Sequence, residues 1–281
     1  MIIQRLGALG DTLFLTPIVR EIKRRNLDEF IGISSYYHNL FDNNPYVDAK
    51  GRNLCFKKKD EEVVDLDGYY EKQMDNHPVK LYAERILGDS NLESFALEIY
   101  ETEYDRTVID NWLADNIDKD KKTIVCHLGN TWVKLHDHVY EEVIGYLTSK
   151  YNVILLGRGT EYIPKSTGWI NLLGNQYSIQ RIKHLISKCD LFFGTDSGLS
   201  HICSCTDTTS VVCYSFISPE WRKPLNKGNF VPIVANCATP HCAEQNKIIE
   251  NGEFRGVSCN YQMCSKDIRS SQIVDAIEKW I

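Results

Sequence analysis

Hydrophobic positions in the second half of the chain alternate between short apolar runs and helical stripes. Runs at residues 124–128, 153–157 and 170–173 have the length and composition of buried strands. Between and after them, residues 140–150 read as one helix, and Ile179, Ile182, Leu185 and Ile186 repeat at the spacing of another. Residues 189–219 continue the rhythm with a strand through Phe193, a polar turn from Thr195 to His201, a short helix, and a strand beginning at Ser210. Such alternation predicts an α/β fold, a parallel sheet with helices on both faces.

The first 114 residues carry a poorer version of the same pattern. Ile2 and Ile3 begin a strand, residues 7–12 form a glycine-containing turn, and Leu15, Ile18, Val19 and Ile22 share a helical face. Pro17 inside that stretch predicts a kink or a late helix start. A second strand is expected at 31–35 and a turn at Asn43-Asn44-Pro45. The acidic run 60–67 reads as a solvated edge. After His77, a surface or capping residue, Val79, Tyr82, Ile86 and Leu87 suggest a helix. The polar stretch 115–122 marks a domain boundary, giving domains at 1–114 and 123–281. A closing helix with Ile273, Val274, Ile277 and Ile281 on one side is expected to pack back on the first domain.

Composition narrows the classes. With 281 residues, 43% hydrophobic and 25% charged, the chain has a real core and room for two domains. A net charge of -6 argues against a general nucleic-acid binder. Arg20, Lys23, Arg24 and Arg25 still form a local basic cluster. No apolar stretch approaches the ~20 residues that cross a bilayer, and the start lacks a signal-peptide layout, so a soluble, cytoplasmic protein is expected.

Ten cysteines then point to buried thiols or metal ligands. Cys237, Cys242, Cys259 and Cys264 are spaced C-x4-C-x16-C-x4-C, which suits either a structural zinc or iron held by four thiolates or four thiols without metal. His241 is a substitute ligand, and Cys203, Cys205 and Cys213 read as small apolar fillers.

Two turns carry candidate chemistry. Ligands of open α/β sheets sit outside the carboxyl ends of the strands, where backbone N–H groups face outward. The turn Thr195-Asp196-Ser197-Gly198-Leu199-Ser200-His201 is accordingly either an anion site or an ordinary N-capped strand-to-helix turn. In the first reading Ser197 and Gly198 admit a phosphate, His201 donates to it, and Asp196 orders the loop. Asp11, in the first turn of its helix, is either a partner for the helix dipole or a catalytic carboxylate.

The opening RLGALGDTLFLTPIVREIKRR and the later DLFFGTDSGLSH, in this order, resemble glycosyltransferase family 9, the heptosyltransferases of lipopolysaccharide core assembly and their relatives. Weaker similarities lie in HLGNTWVK at 127–134 and in Leu155-Leu156-Gly157 followed by Glu161. The resemblance spans most of the chain and is thin between residues 39 and 69, where part of the amino-terminal domain is expected to be missing.

It implies a GT-B architecture of two Rossmann-like domains facing across a cleft, and inverting, metal-independent sugar transfer from a nucleotide diphosphate, by family default ADP-heptose. The implied base is Asp11, with Gly10 and Thr12 beside it. Lys134, the Ser197 and Gly198 backbone and His201 would stabilise the departing diphosphate, Thr131 would touch the phosphates and Glu161 the ribose, with Asp196, Gly10 and Thr12 also counted in the donor-binding set. No Asp-x-Asp triplet is read as a metal site. The acceptor, a glycan, lipopolysaccharide core or protein at or near a membrane surface, is left open. Some relatives carry a similar cysteine-rich tail, and certain protein heptosyltransferases bind iron through one. Lys134 is followed by Leu135-His136-Asp137 rather than the family's aromatic-proline pair, and Ser215-Phe216-Ile217-Ser218-Pro219 replaces its Phe-Gly-Pro-Thr turn. A catalytically inactive nucleotide-binding or metal-stapled interaction protein on the same fold is the alternative.

Overall fold

The computed structural model describes residues 1–54, 62–72, 76–129, 135–215, 217–225, 227–235, 249–250, 253–254 and 267–281. Four short parallel strands form the first sheet: β1 (Ile2–Gln4), β2 (Gly32–Ser34), β3 (Ala49–Gly51) and β4 (Val63–Asp65), in the order β3-β2-β1-β4. Between β1 and β2 run α1 (Leu9–Leu13) and α2 (Thr16–Arg25). The break between these helices is the one foreshadowed by Pro17, which occupies the first turn of α2, where its missing N–H costs nothing. After β4 come α3 (Pro78–Leu87), capped by His77, and α4 (Glu103–Asn116), capped by Thr102 and Asp105.

The second sheet has six parallel strands in the order β10-β9-β8-β5-β6-β7. In chain order its elements are β5 (Thr123–His127), α5 (Asp137–Thr148), β6 (Asn152–Gly157), β7 (Trp169–Leu173), α6 (Ile179–Ser187), β8 (Leu191–Thr195), α7 (Gly198–Cys203), β9 (Thr209–Tyr214), α8 (Pro219–Arg222) and β10 (Phe230–Val234). A two-stranded antiparallel pair, β11 (Ile249–Glu250) and β12 (Glu253–Phe254), and the closing helix α9 (Ser270–Trp280) follow.

Alternate residues of the second sheet feed two cores. Ile124, Cys126, Val153, Leu155, Leu191, Phe193, Val211 and Cys213 face α5 and α9. Val125, Ile154, Leu156, Phe192, Val212 and Tyr214 face the other way, into a core continuous with that of the first lobe. Strands buried on both faces read as unbroken apolar runs, which is why this half of the sequence is legible.

Three expectations are corrected. The acidic run 60–67 contains strand β4, in register with β1, and buries Val64 and Leu66. The closing helix packs on α5 and the second sheet rather than on the first lobe, with Ile273 and Ile277 fully buried there. The basic cluster on α2 is neutralised: Arg24 and Arg25 bond to Glu21, Arg25 also to Asp89, Arg20 pairs with Glu98, and Lys23 with Asp48. Glu21, held chiefly by Arg24, has its carboxyl lowered to about 2. Helix α4, whose last turn runs into the polar stretch 115–122, lies against α6 through Arg181–Asp105 at 3.0 Å and His184–Asp110 at 3.0 Å. No helix among the described residues is long and apolar enough to cross a membrane.

Candidate active site

The two turns singled out in the sequence meet face to face. Helix α1 of the first lobe packs on α7 of the second so closely that a Cβ on Gly10 would lie 2.7 Å from His201 Cδ2, and one on Gly198 would lie 2.9 Å from Leu9 Cβ. Only glycine permits such an approach. His201 is 1% exposed, with its ring edge-on to Phe14 at 4.7 Å between centroids.

Asp11 lies in this contact, 2% exposed. Arg5 Nη2 donates to Asp11 Oδ2 at 2.5 Å and to Glu71 Oε1 at 2.7 Å, while Arg5 Nη1 donates to the Leu66 carbonyl at 3.1 Å. The other oxygen, Asp11 Oδ1, is buried without a hydrogen-bond partner and stands 3.6 Å from Arg222 Nη1. Burial opposes the charge on Arg5, but Asp11 and its neighbours outweigh this and raise its pKa. Burial likewise raises the Glu71 carboxyl.

On the second lobe, Arg222 Nη1 donates to Tyr70 Oη at 2.5 Å, and its Nε lies 3.8 Å from Asp196 Oδ2. Burial pushes the Asp196 carboxyl up to about 6, with Arg222 working against the shift. Burial, with the charge of Arg222 beside it, drives His201 well below its ordinary value. His201 is therefore a neutral ring, with one N–H to donate and no charge to offer; neither ring nitrogen has a hydrogen-bond partner.

The remaining sequence candidates divide. Ser197 Oγ is 3.2 Å from His127 Nδ1, and His127 Nε2 is 3.5 Å from Glu161 Oε1, so the phosphate turn and the glutamate are linked through one imidazole. Glu161 accepts from the backbone N–H groups of Arg158, Gly159 and Thr160 at 2.8, 2.7 and 2.9 Å. Although burial acts to raise it, His127 and these amides hold its carboxyl at about 2. Thr12 points inward, donating to the Ala8 carbonyl and sharing a hydrogen bond with Ser35.

Thr131, Lys134 and the four cysteines at 237, 242, 259 and 264 lie outside the described residues. Among the described residues no cluster of three or more His, Cys, Asp or Glu side chains could hold a metal. Two Asp-x-Asp triplets do occur, and both serve turns: Asp65 Oδ1 accepts from Asp67 N, Asp67 Oδ1 from Leu6 N, and Asp118 Oδ1 from Asp120 N. Cys203, Cys205 and Cys213 are buried free thiols. Reading the sequence missed Arg5, Tyr70, Glu71 and Arg222. Arg5 opens the first motif and could have been found there; the other three have no local signal.

A buried carboxylate on one lobe, a glycine-serine turn on the other and parallel sheets behind both define a two-lobed α/β protein with its candidate site where the lobes meet. The sequence profile of glycosyltransferase family 9 (heptosyltransferase) matches residues 86–251, and the chain belongs to that family: it is a glycosyltransferase. Its fold is the GT-B fold of the solved heptosyltransferases. A family 9 glycosyltransferase from Veillonella parvula superposes with a TM-score of 0.72 at 14% identity, over 99% of this chain and 96% of that one. The E. coli ADP-heptose lipopolysaccharide heptosyltransferase II gives 0.73 at 14% identity, over 99% and 97%. The iron-containing dodecameric glycosyltransferase TibC from enterotoxigenic E. coli gives 0.71 at 16% identity, over 99% and 75%. None of the curated proteins matches the sequence.

Proposed function

We propose that the protein moves a sugar, with ADP-heptose as the donor to test first, from a nucleotide diphosphate to a hydroxyl of a glycan or protein acceptor, with inversion and without a catalytic metal. One observation carries this reading: Asp11 is brought against the Ser197–His201 turn with one carboxylate oxygen free of hydrogen bonds. The acceptor oxygen would attack the anomeric carbon as Asp11 takes its proton, and the bonding pair of the sugar–phosphate bond would leave with the diphosphate. The backbone N–H of Gly198, the neutral His201 and Lys134 would stabilise that departing charge, with the Ser197 N–H, which donates to Ser200 Oγ at 3.2 Å, holding the turn in shape. Family membership supports the reaction class, and solved neighbours described as ADP-heptose enzymes support the donor.

Incubating the protein with ADP-heptose and other nucleotide sugars plus candidate acceptors, and measuring released nucleotide diphosphate, tests the reading. Release that depends on acceptor supports it; none with any donor defeats it. A specific observation also favours the second reading, a nucleotide-binding protein without turnover. Asp11 is buried and already paired, 2.5 Å from the Arg5 guanidinium and 3.6 Å from that of Arg222, so its carboxylate has a structural role without any substrate. Calorimetry showing nucleotide binding alongside absent turnover would select it.

A further inference from the structure

We propose that Arg222 is a catalytic residue of the transfer, pairing with the β-phosphate of the nucleotide diphosphate as the sugar–phosphate bond breaks. The proposal rests on the reading of the chain as a transferase that uses a nucleotide diphosphate sugar.

Position is the first argument. Arg222 ends α8, which follows the carboxyl end of β9, on the edge of the sheet where α/β proteins hold phosphates. From there its guanidinium reaches the first lobe, bonding Tyr70 Oη at 2.5 Å, and lies between the Asp11 and Asp196 carboxylates.

Unused capacity is the second argument. Arg5 has both terminal nitrogens committed, to Asp11, Glu71 and the Leu66 carbonyl. Arg222 instead faces its two carboxylates at 3.6 and 3.8 Å, beyond hydrogen-bond distance, and its buried Nε has no hydrogen-bond partner. Nη1 is taken by Tyr70, which leaves the Nε–Nη2 edge, one planar fork of N–H groups, for a phosphate, the geometry in which arginine exceeds lysine. His201, being neutral, brings no charge to this position.

Charge conservation is the third argument. When the acceptor proton moves to Asp11, one negative charge disappears beside Arg222. In the same event the electron pair of the broken bond adds one to the departing phosphate oxygen. Arg222 exchanges one anionic partner for another, and the net charge of the closed site does not change. A buried cation keeps a partner throughout, which avoids the cost of isolating it.

The test compares nucleotides that differ by the β-phosphate. ADP, GDP, UDP and CDP are titrated calorimetrically into the full-length protein, and the tightest is carried forward with its monophosphate. Arg222→Gln is expected to weaken the diphosphate by roughly 10-fold or more while changing the monophosphate less than about 3-fold. With donor and acceptor, kcat is expected to fall by roughly 100-fold or more. Should R222Q fail to fold by circular dichroism, Arg222→Met, which keeps the aliphatic bulk beside Tyr70 and Trp221, takes its place with the same expectation. Equal weakening of both nucleotides, or an unchanged diphosphate affinity, overturns the proposal. Wild-type protein that binds none of these nucleotides defeats the proposed nucleotide diphosphate sugar donor itself, and Arg222's role with it.

Discussion

Replacing Gly198 by alanine sets a methyl group where the lobes touch. The new Cβ would stand 2.9 Å from Leu9 Cβ, 3.0 Å from its Cδ2 and 3.1 Å from its Cγ. A rotamer change moves Cδ2 and shifts Cγ, but Leu9 Cβ is fixed by the backbone of α1, so α1 and α7 must separate by several tenths of an ångström. They belong to opposite lobes, and a small rotation of one lobe relieves the collision while both sheets stay intact. Overpacking of this kind costs about 1–3 kcal/mol. Spent on the lobe contact, that energy lowers the ratio of closed to open molecules by roughly 5- to 150-fold. Since Asp11 meets the Ser197 turn only in the closed arrangement, kcat is expected to fall by up to the same factor. Nucleotide affinity, which belongs to the second lobe, should change by less than about threefold, a shift worth under ~1 kcal/mol. Steady-state release of nucleotide diphosphate and a calorimetric titration measure the two quantities separately. Full kcat in G198A would refute the reasoning, and so would a loss of nucleotide affinity as large as the loss of kcat.

Other expectations are as definite. Asp11→Asn, which keeps an acceptor for Arg5 but cannot take the proton, should lower kcat by roughly 100- to 10,000-fold with donor affinity unchanged; activity within a few-fold of wild type would remove Asp11 from the chemistry. Asp196 titrates at about 6 in the folded protein against 3.8 ordinarily, chiefly through burial, so the folded state binds its proton more tightly than the unfolded state does. The contribution of Asp196 to stability should be full below pH ~4 and be lost as pH rises through 6, a change on the order of 3 kcal/mol. Asp196→Asn should therefore raise Tm at pH 7.5 and have no effect at pH 4, and a lower Tm at pH 7.5 would contradict the account. Cys237, Cys242, Cys259 and Cys264 are expected to retain about one zinc or iron per chain after purification without chelator, and a stoichiometry near zero by elemental analysis would leave four thiols.

What the sequence discloses depends on how local each signal is. β5, β6, β8 and β9 are buried on both faces, so their apolar runs stand out in any window. β1 to β4 have three residues each, too few for a period to register. In β4 the single inward Val64 is hidden among carboxylates that face water. The closing helix announces an apolar stripe but not its partner, because a stripe records that a face is covered and nothing about what covers it. The same division holds in the site. Asp11, Ser197, Gly198 and His201 lie in two short motifs and are legible there.

Arg222 is different, since its partner Tyr70 is 152 residues away and a guanidinium on a four-residue helix has no meaning until the opposite lobe covers it. That dependence has a physical consequence. Burying a guanidinium beside two carboxylates exchanges hydration for Coulomb attraction at nearly equal free energy. Parting the lobes would rehydrate Arg222, Asp196 and Asp11 together, so the ions add little to the free energy of holding the lobes shut. What favours closure is apolar: Leu9 against Gly198 and Phe14 against His201 at the site, and behind them a core that runs from the first lobe into the second. With the charges neutral toward closure, the fit of apolar surfaces sets how the lobes meet, and the Leu9–Gly198 contact is where a single added methyl group acts on it.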